Sequence, residues 1–529
     1  MISRPRSQTV FREVNDRIAE LPGAFMDRGV KLFVCECSRE AALRARAAQE
    51  DRRSGHGGLP HATASRCDAE QSLGLVEQEV DGEGVGEPAA EHRPKDVLGR
   101  VVRPAAPLSN PALSMVPLRR NRDFLLLQAG QLLSSAGSQS TTIAYPLLVL
   151  ALTNSPSKAG LVTFARLLPQ AVLGLLAGVA ADRWNRKWLM IAADGTRALA
   201  MTTLGVLILL GRLSFWQIPV VAFVEGAGSV FFGAAQTGAL RAVVPPRQLP
   251  AAAGAQEARG ATVLLVGPPL GGALFGLGRA VPFLADAGSY VFSTLSLVAM
   301  RTPFQESRGV DTSRLRSQIA EGFRFLWSQP FLRTCAFLWG LGNFAMPGVL
   351  LVLVVVGRRQ GLSGGEIGAL ISAFGASLLI GSLVSPLFRR AFSMRTILFI
   401  ELWTWLGSAL FLIWPNVYVL ASAILPQGMA MPITDSVVTG YRVAITPDRL
   451  VGRVESIRRN IALLIAPLGP LTAGLLLESV SARMTIAVFV GFALLLAVWG
   501  TLSPSIRNAP SLDELNELPM RETAPVGAR

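Results

Sequence analysis

Runs of roughly twenty apolar residues recur between residues 124 and 503, each long enough to cross a hydrocarbon core as a helix. There are about twelve, near 124–151, 161–181, 188–210, 216–240, 254–277, 280–300, 331–356, 366–388, 396–414, 416–440, 460–477 and 484–503. A chain that is 50% hydrophobic, with its apolar residues gathered this way, is greasier than soluble domains are. The runs are too long for barrel strands and lack an alternation of period two. What remains is an all-α polytopic membrane protein whose first partner is the lipid bilayer.

The formal net charge of +14 would point a soluble chain toward nucleic acid. Here the charge has a membrane cause, and no nucleic-acid partner is expected. With the N-terminus inside, the inner connectors carry Arg183, Arg186, Lys187, Arg241, Arg247, Arg389, Arg390, Arg395, Arg453, Arg458 and Arg459 among others. The outer connectors carry only Lys158, Arg212, Arg279, Arg358, Arg359 and Arg483. This bias places both termini in the cytoplasm. The pair Arg358–Arg359 runs against it. The excess of Arg over Lys suits a bacterial source, hence a bacterial cytoplasmic membrane.

Several chemistries are excluded. A phosphate loop needs G-x-x-x-x-G-K-[ST], and none of Lys31, Lys95, Lys158 and Lys187 ends such a pattern. His56, His61 and His92 all precede the first apolar run, as do Cys35, Cys37 and Cys67, which leaves Cys335 alone in the membrane region. The Cys-x-Cys lacks the paired spacing of a zinc site, so neither a metal nor a cofactor is expected. A polytopic enzyme would need a nucleophile, base or metal set that these short connectors do not supply. A secondary carrier fits best.

The stretch Gly178–Lys187, G-V-A-A-D-R-W-N-R-K, is a dense charged connector between two apolar runs. Its Gly would let helices approach closely. It resembles the loop between helices 2 and 3 of the major facilitator superfamily, G-x-L-A-D-R-x-G-R-K. Gly178, Asp182, Arg183, Arg186 and Lys187 match, and Asn185 stands for the second Gly, being tolerant of a left-handed turn. The resemblance gives this loop a gating role: Asp182 would clamp the loop to a helix N-terminus of the second half, near Arg458. It also implies two six-helix halves in parallel repeat. The pairs Arg241/Arg442, Pro246/Pro447, Leu249/Leu450 and Pro269/Pro470 share one offset of 201, while Gly178, Arg186 and Lys187 pair with Gly381, Arg389 and Arg390, with Ser385 in place of the Asp.

The expected organisation is therefore a low-complexity, mostly disordered extension over 1–114, a first half over 115–301, a linker over 302–330, a second half over 331–505 and a cytoplasmic tail over 506–529. A short helix is expected near Thr9–Leu21. From Met115 the chain reads like an ordinary start for such a transporter, so the extension is expected to be dispensable or a mis-called start. Ser313–Trp327 alternates basic and apolar residues at helical spacing, as an interfacial helix does.

In the fifth run, Gly267, Pro268, Gly271 and Gly272 fit G-P-x-x-G-G, with Gly254 at a further Gly of the pattern. This resembles the antiporter signature of the drug-exporting branches. Gly and Pro in one buried turn bend and smooth a helix for rocking. R-N-R-D-F at Arg120–Phe124, Q-A-G-Q at Gln128–Gln131, Y-P-L-L-V-L-A-L-T at Tyr145–Thr153, A-R-L-L-P at Ala165–Pro169 and A-D-G-T-R at Ala193–Arg197 resemble the branch of macrolide and enterobactin exporters.

Proton coupling needs titratable groups in the membrane, and the candidates are Glu225, Asp435, Asp286 and Glu401. Glu225 is nearest a run's middle; buried, it either titrates near neutrality or pairs, for instance with Arg166. The candidate substrate path is Gln128, Gln131, Gln139, Phe231 and Gln236, which equally suit helix–helix hydrogen bonds. The reading is a monomeric proton-coupled exporter of small amphipathic organic molecules. The alternatives are an importer or facilitator, or a membrane sensor or scaffold that works through residues 1–114.

Overall fold

The computed structural model describes residues 30–35, 74–79, 117–304 and 315–509. In the N-terminal unit, β1 (Val30–Cys35) pairs antiparallel with β2 (Gly74–Glu79), an element that the sequence reading did not anticipate. The helix expected near Thr9–Leu21 lies outside the described residues.

The second unit is helical. Its first six long helices are α1 (Arg122–Thr153), α2 (Pro156–Arg183), α3 (Arg186–Leu209), α4 (Gln217–Val243), α5 (Leu249–Leu277) and α6 (Val281–Ala299). Then come α7 (Leu315–Ser328), α8 (Pro330–Gly342), α9 (Ala345–Arg359), α10 (Gly364–Ala391), α11 (Met394–Thr404), α12 (Leu410–Ile413), α13 (Val417–Ala423), α14 (Leu425–Ile445), α15 (Asp448–Leu464), α16 (Leu468–Ser479), α17 (Ala482–Leu502) and α18 (Pro504–Arg507). Eleven segments among the described residues are long and apolar enough to cross a membrane. The twelfth, α1, has 32 residues, about 48 Å of helix, but carries a stripe of Gln, Ser and Thr along it.

Local sequence sets the helix ends. Asn121 caps α1 by accepting from Phe124 N, and its amide donates to Val243 O at 3.0 Å. Asp123 accepts from Arg301 N, Thr302 N and the Thr302 hydroxyl, tying the start of α1 to the end of α6. Asn185 is the N-cap of α3, accepting from Lys187 N and Trp188 N; its backbone is extended, not left-handed. Among the described residues the left-handed non-glycine is Asn154, which ends α1. Arg358 and Arg359, the charges that defy the inner bias, sit in the last turn of α9 and donate to Leu362 O and Leu477 O, where helix ends favour cations.

The two halves differ in backbone. In the first, every spanning helix is continuous. In the second, four spans break partway: at Asn343–Phe344 between α8 and α9, through a 3-10 turn Trp405–Ala409 between α11 and α12, at Ile424 between α13 and α14, and at Ile465–Pro467 between α15 and α16. Pro467 explains the last break, since proline has no N–H to donate. The repeat offset puts Val266 at the matching place in α5, which runs unbroken.

Apolar packing is also uneven. At the end of the bundle bearing Asp182, the core of each half is separate: Phe124, Met190, Phe232 and Met300 in one, Phe331, Met394, Val437 and Tyr441 in the other. At the far end one cluster joins both halves, from Leu147, Leu204 and Phe283 to Val352, Phe411 and Phe489.

Candidate functional site

The far-end seam is built from small residues. A Cβ on Gly272 of α5 would collide with the carbonyl of Gly364 on α10; one on Gly368 would meet Pro268 O and Pro269 Cα. Across the bundle, a Cβ on Gly160 of α2 would meet Pro470 O, and one on Gly474 of α16 would meet Pro156 O. Ser372 donates to Leu265 O at 2.6 Å, and Glu478 Oε2 accepts from Ser155 Oγ at 2.9 Å and Ser157 N at 3.1 Å. Missing side chains let backbones touch, which is how membrane helices gain packing energy without a hydrophobic drive. Gly267 and Gly271 serve within the first half, against Gln139 and Ser140 of α1. Gly254 has open space around its Cα, with no neighbour that a Cβ would meet.

At the opposite end the Gly178–Lys187 connector holds its own half together. Arg186 stands 3.6 Å from Asp182, donates to Ala181 O, and lies on Gly238 of α4, where no side chain intervenes. Lys187 Nζ donates to Met300 O at 2.7 Å, closing the end of α6. Asp182 and Arg183 are exposed. The close approach expected at Gly178 is absent, because a Cβ there would meet nothing within 4 Å. In the second half, Arg458, the basic residue expected near Asp182, pairs instead with Glu455 at 2.7 Å, and Glu455 also pairs with Arg442 at 2.7 Å. Helix α7 leans on α15, with Glu321 and Arg453 paired at 2.5 Å and Gly322 against Arg453 and Ile457.

A charged cluster is buried inside the first half. Glu225 Oε2 accepts from Arg166 Nε at 2.7 Å, and Oε1 accepts from Arg197 Nη2 at 3.1 Å and Tyr290 OH at 3.1 Å. Arg166 also donates to Thr142 Oγ1 and Ser138 O of α1. Arg197 donates to Asp194 at 3.1 Å and Ser138 Oγ at 2.9 Å, with its guanidinium 3.9 Å from the Tyr290 ring centroid. The pairing read as an alternative for Glu225 is thus formed. Asp194 is a further intramembrane carboxylate that the sequence reading passed over, although it sits with Arg197 in Ala193–Arg197; the i,i+3 spacing was the available signal. Asp286 accepts from Thr141 Oγ1 and Ser289 Oγ.

In the second half a cavity of about 350 Å³ forms where the spans break. Gly342, Asn343 and Trp405, all at or beside breaks, line it together with Trp339, Met346, Gln427, Met431, Arg442 and Arg458. Both second-half candidates lie on it: Glu401, buried and accepting from Trp339 Nε1 at 2.9 Å, and Asp435, exposed to the space. The broken backbone and Trp339 are the parts of this site that sequence reading missed.

The first-half path residues do not line that cavity. Gln128 Oε1 accepts from Arg259 at 2.8 Å, and Gln131 is buried. Gln139 packs over Gly267, and Phe231 lies against the first-half core. Gln236 keeps a buried amide nitrogen without a hydrogen-bond partner among the described residues, as Gln128 and Gln131 do.

Comparison with known proteins agrees with this architecture. The family model described as transmembrane secretion effector matches residues 112–525. The chain is 29% identical over 407 residues to a multidrug efflux pump Tap of Mycolicibacterium fortuitum, covering 73% of this chain and 96% of the relative. It is 26% identical over 369 residues to macrolide efflux protein A of Streptococcus pyogenes, covering 68% and 90%. Its fold is similar to an inward-facing, unoccupied bacterial homologue of the human lysosomal transporter Spinster (16% identity, TM-score 0.58, 73% and 97% covered). An inward-facing bacterial homologue of ferroportin is likewise similar (18% identity, TM-score 0.57, 72% and 98% covered). With most of its length matched and every spanning helix inside the match, the chain belongs to the transmembrane secretion effector family of the major facilitator superfamily of membrane transporters.

Proposed function

We propose that this protein is a proton-coupled exporter of small amphipathic organic molecules, working by alternating access in a bacterial cytoplasmic membrane. The observation that carries the reading is the one-sided closure: the halves share a core at the far end and have separate cores at the Asp182 end. With the basic connectors inside, this is an inward-open state. The cavity beside Trp339 and Trp405 offers apolar walls with few polar anchors, which suits an amphipathic guest. That its relatives include a multidrug efflux pump and a macrolide efflux protein supports the direction.

Glu401 and Asp435 are the proton carriers that this geometry favours, since both border the guest's space and, among the described residues, the nearby Arg442 and Arg458 make their ion pairs with Glu455. Glu225 instead has the role of a structural anion between two guanidiniums. The test is an imposed pH gradient across proteoliposomes, screened with amphipathic drugs and siderophores. Compound-dependent dissipation that Asp435→Asn or Glu401→Gln reduces at least tenfold is expected. Persistence of the full signal in both variants would remove the cavity acids from the mechanism.

Asp182 acts in the opposite state, when the inner end closes and its carboxylate meets the second half. Asp182→Asn is expected to insert normally yet transport poorly, by the value of a charged hydrogen bond, about 1.5–3 kcal/mol. Uptake assays in inverted vesicles, normalised to protein amount, check this; a fully active variant would contradict it.

A further inference from the structure

Charge in the buried cluster of the first half leaves one acid over. Its cations are Arg166 and Arg197. Glu225 accepts from both and Asp194 from Arg197, so two cations meet two carboxylates. Asp286 is the remaining acid. It is wholly buried, and its carboxyl oxygens accept from hydroxyls alone, Thr141 Oγ1 at 3.1 Å and Ser289 Oγ at 3.2 Å. With Asp286 ionised the cluster holds one negative charge in excess within the membrane; with Asp286 protonated it is neutral.

The surroundings of Asp286 are specific. From α1 come Thr141, Tyr145 and Gly137, and a Cβ on Gly137 would collide with Asp286 Oδ1 and Ser289 Oγ. From α2, α3 and α4 come Arg166, Arg197, Asp194 and Glu225. On α6 itself Tyr290 bonds Glu225, Arg197 and Ser138. The charged groups of α5, Glu257 and Arg259, lie toward its other end, where Arg259 holds Gln128. Three neighbouring hydroxyl residues of α1 thus serve the cluster: Ser138 and Thr142 hold the arginines, and Thr141 holds Asp286. Of these three, Thr142 is exposed and Thr141, beside the acid, is buried.

We propose that Asp286 binds and releases a proton during the transport cycle, and that its charge state sets how α1 is held against α6. The carboxylate accepts from both Thr141 and Ser289. Each hydroxyl also has a backbone acceptor in reach, Ser138 O at 3.0 Å for Thr141 and Asp286 O at 2.7 Å for Ser289, so when the acid carries its own donor one hydroxyl gives its proton wholly to that carbonyl and receives the acid's. α1 also touches the second half, with Leu147 beside Gly364, so a change at Thr141 is felt at the far-end seam. The proposal rests on the proton-coupled reading for its use in transport, but not for its test.

The test is infrared difference spectroscopy of the full chain in lipid, titrated by pH without substrate, with the proton as the only probe. One carboxylic C=O band should titrate in the wild type and vanish in Asp286→Asn. Thr141→Val, which deletes one of the two donors, should move the midpoint of that band by about one pH unit or more. If Asp286→Asn does not fold, that midpoint shift identifies the band by itself. No titrating band assignable to Asp286, or a midpoint indifferent to Thr141→Val, would overturn the proposal. Transport then separates the two readings: a titrating Asp286 in protein that never dissipates a pH gradient with any compound would leave the site and refute the antiport.

Discussion

Glu225→Ala should unfold much of the protein rather than merely slow it. The side chain accepts from Arg166, Arg197 and Tyr290 in a site with no water-facing surface to speak of. Removing it leaves the Arg166 guanidinium without a carboxylate partner, while Arg197 keeps Asp194. Breaking a buried pair from one side costs about 3–5 kcal/mol, a large part of the roughly 5–15 kcal/mol that holds a typical protein folded. Detergent-solubilised protein should show a clear fall in melting temperature and a loss of the monodisperse peak on gel filtration. Arg166→Met combined with Glu225→Met should recover much of that loss, because apolar side chains of similar bulk replace both charges. A single Glu225→Ala that melts like the wild type would show that the ion pair adds nothing to stability.

Gly272→Val should hold the far end open. The new side chain would run into the backbone of Gly364, and a carbonyl cannot rotate out of the way as a side-chain tip can. Overpacking of this kind costs about 1–3 kcal/mol, a bias of roughly 5–150-fold against the closed seam. A cysteine replacing Ser157, which faces Glu478 across the seam, should react faster with a membrane-impermeant maleimide when Gly272→Val is present. Transport should fall in the same proportion. Gly276→Ala, one turn further along α5 and open on its Cβ side, should change neither. Equal labelling in all three would mean that the seam tolerates the added bulk.

The membrane architecture was legible because it depends on the one property that a sequence displays directly, the length of apolar runs. The pairing of Glu225 with Arg166 was legible as an alternative, since an acid in a membrane helix needs a partner. What escaped depends on tertiary context. Glycines look alike in sequence, yet Gly272 meets backbone while Gly178 and Gly254 meet nothing. The glutamines of α1 mark a polar face, but Gln128 is held by Arg259 and Gln139 packs on Gly267. The breaks in the second half arise at different residues in each span, with Pro467 the clearest and Asn343–Phe344 carrying no strong local signal. The strand pair of the N-terminal unit joins segments almost forty residues apart, beyond any local pattern.

The continuous helices of the first half and the interrupted ones of the second imply unequal stiffness. A helix with its hydrogen-bond ladder intact transmits a tilt along its whole length, whereas one cut partway can bend at the cut. The first half, cross-braced by Arg166, Glu225 and Arg197, would move as a single lever. The second would deform around whatever occupies its cavity. Guests of different shape could then be accommodated by local flexing at Asn343, Trp405 and Ile424, while the same rigid lever delivers the same stroke to each. Breadth of cargo and constancy of motion would thus reside in different halves of one chain, and directed evolution could retune the first without disturbing the second.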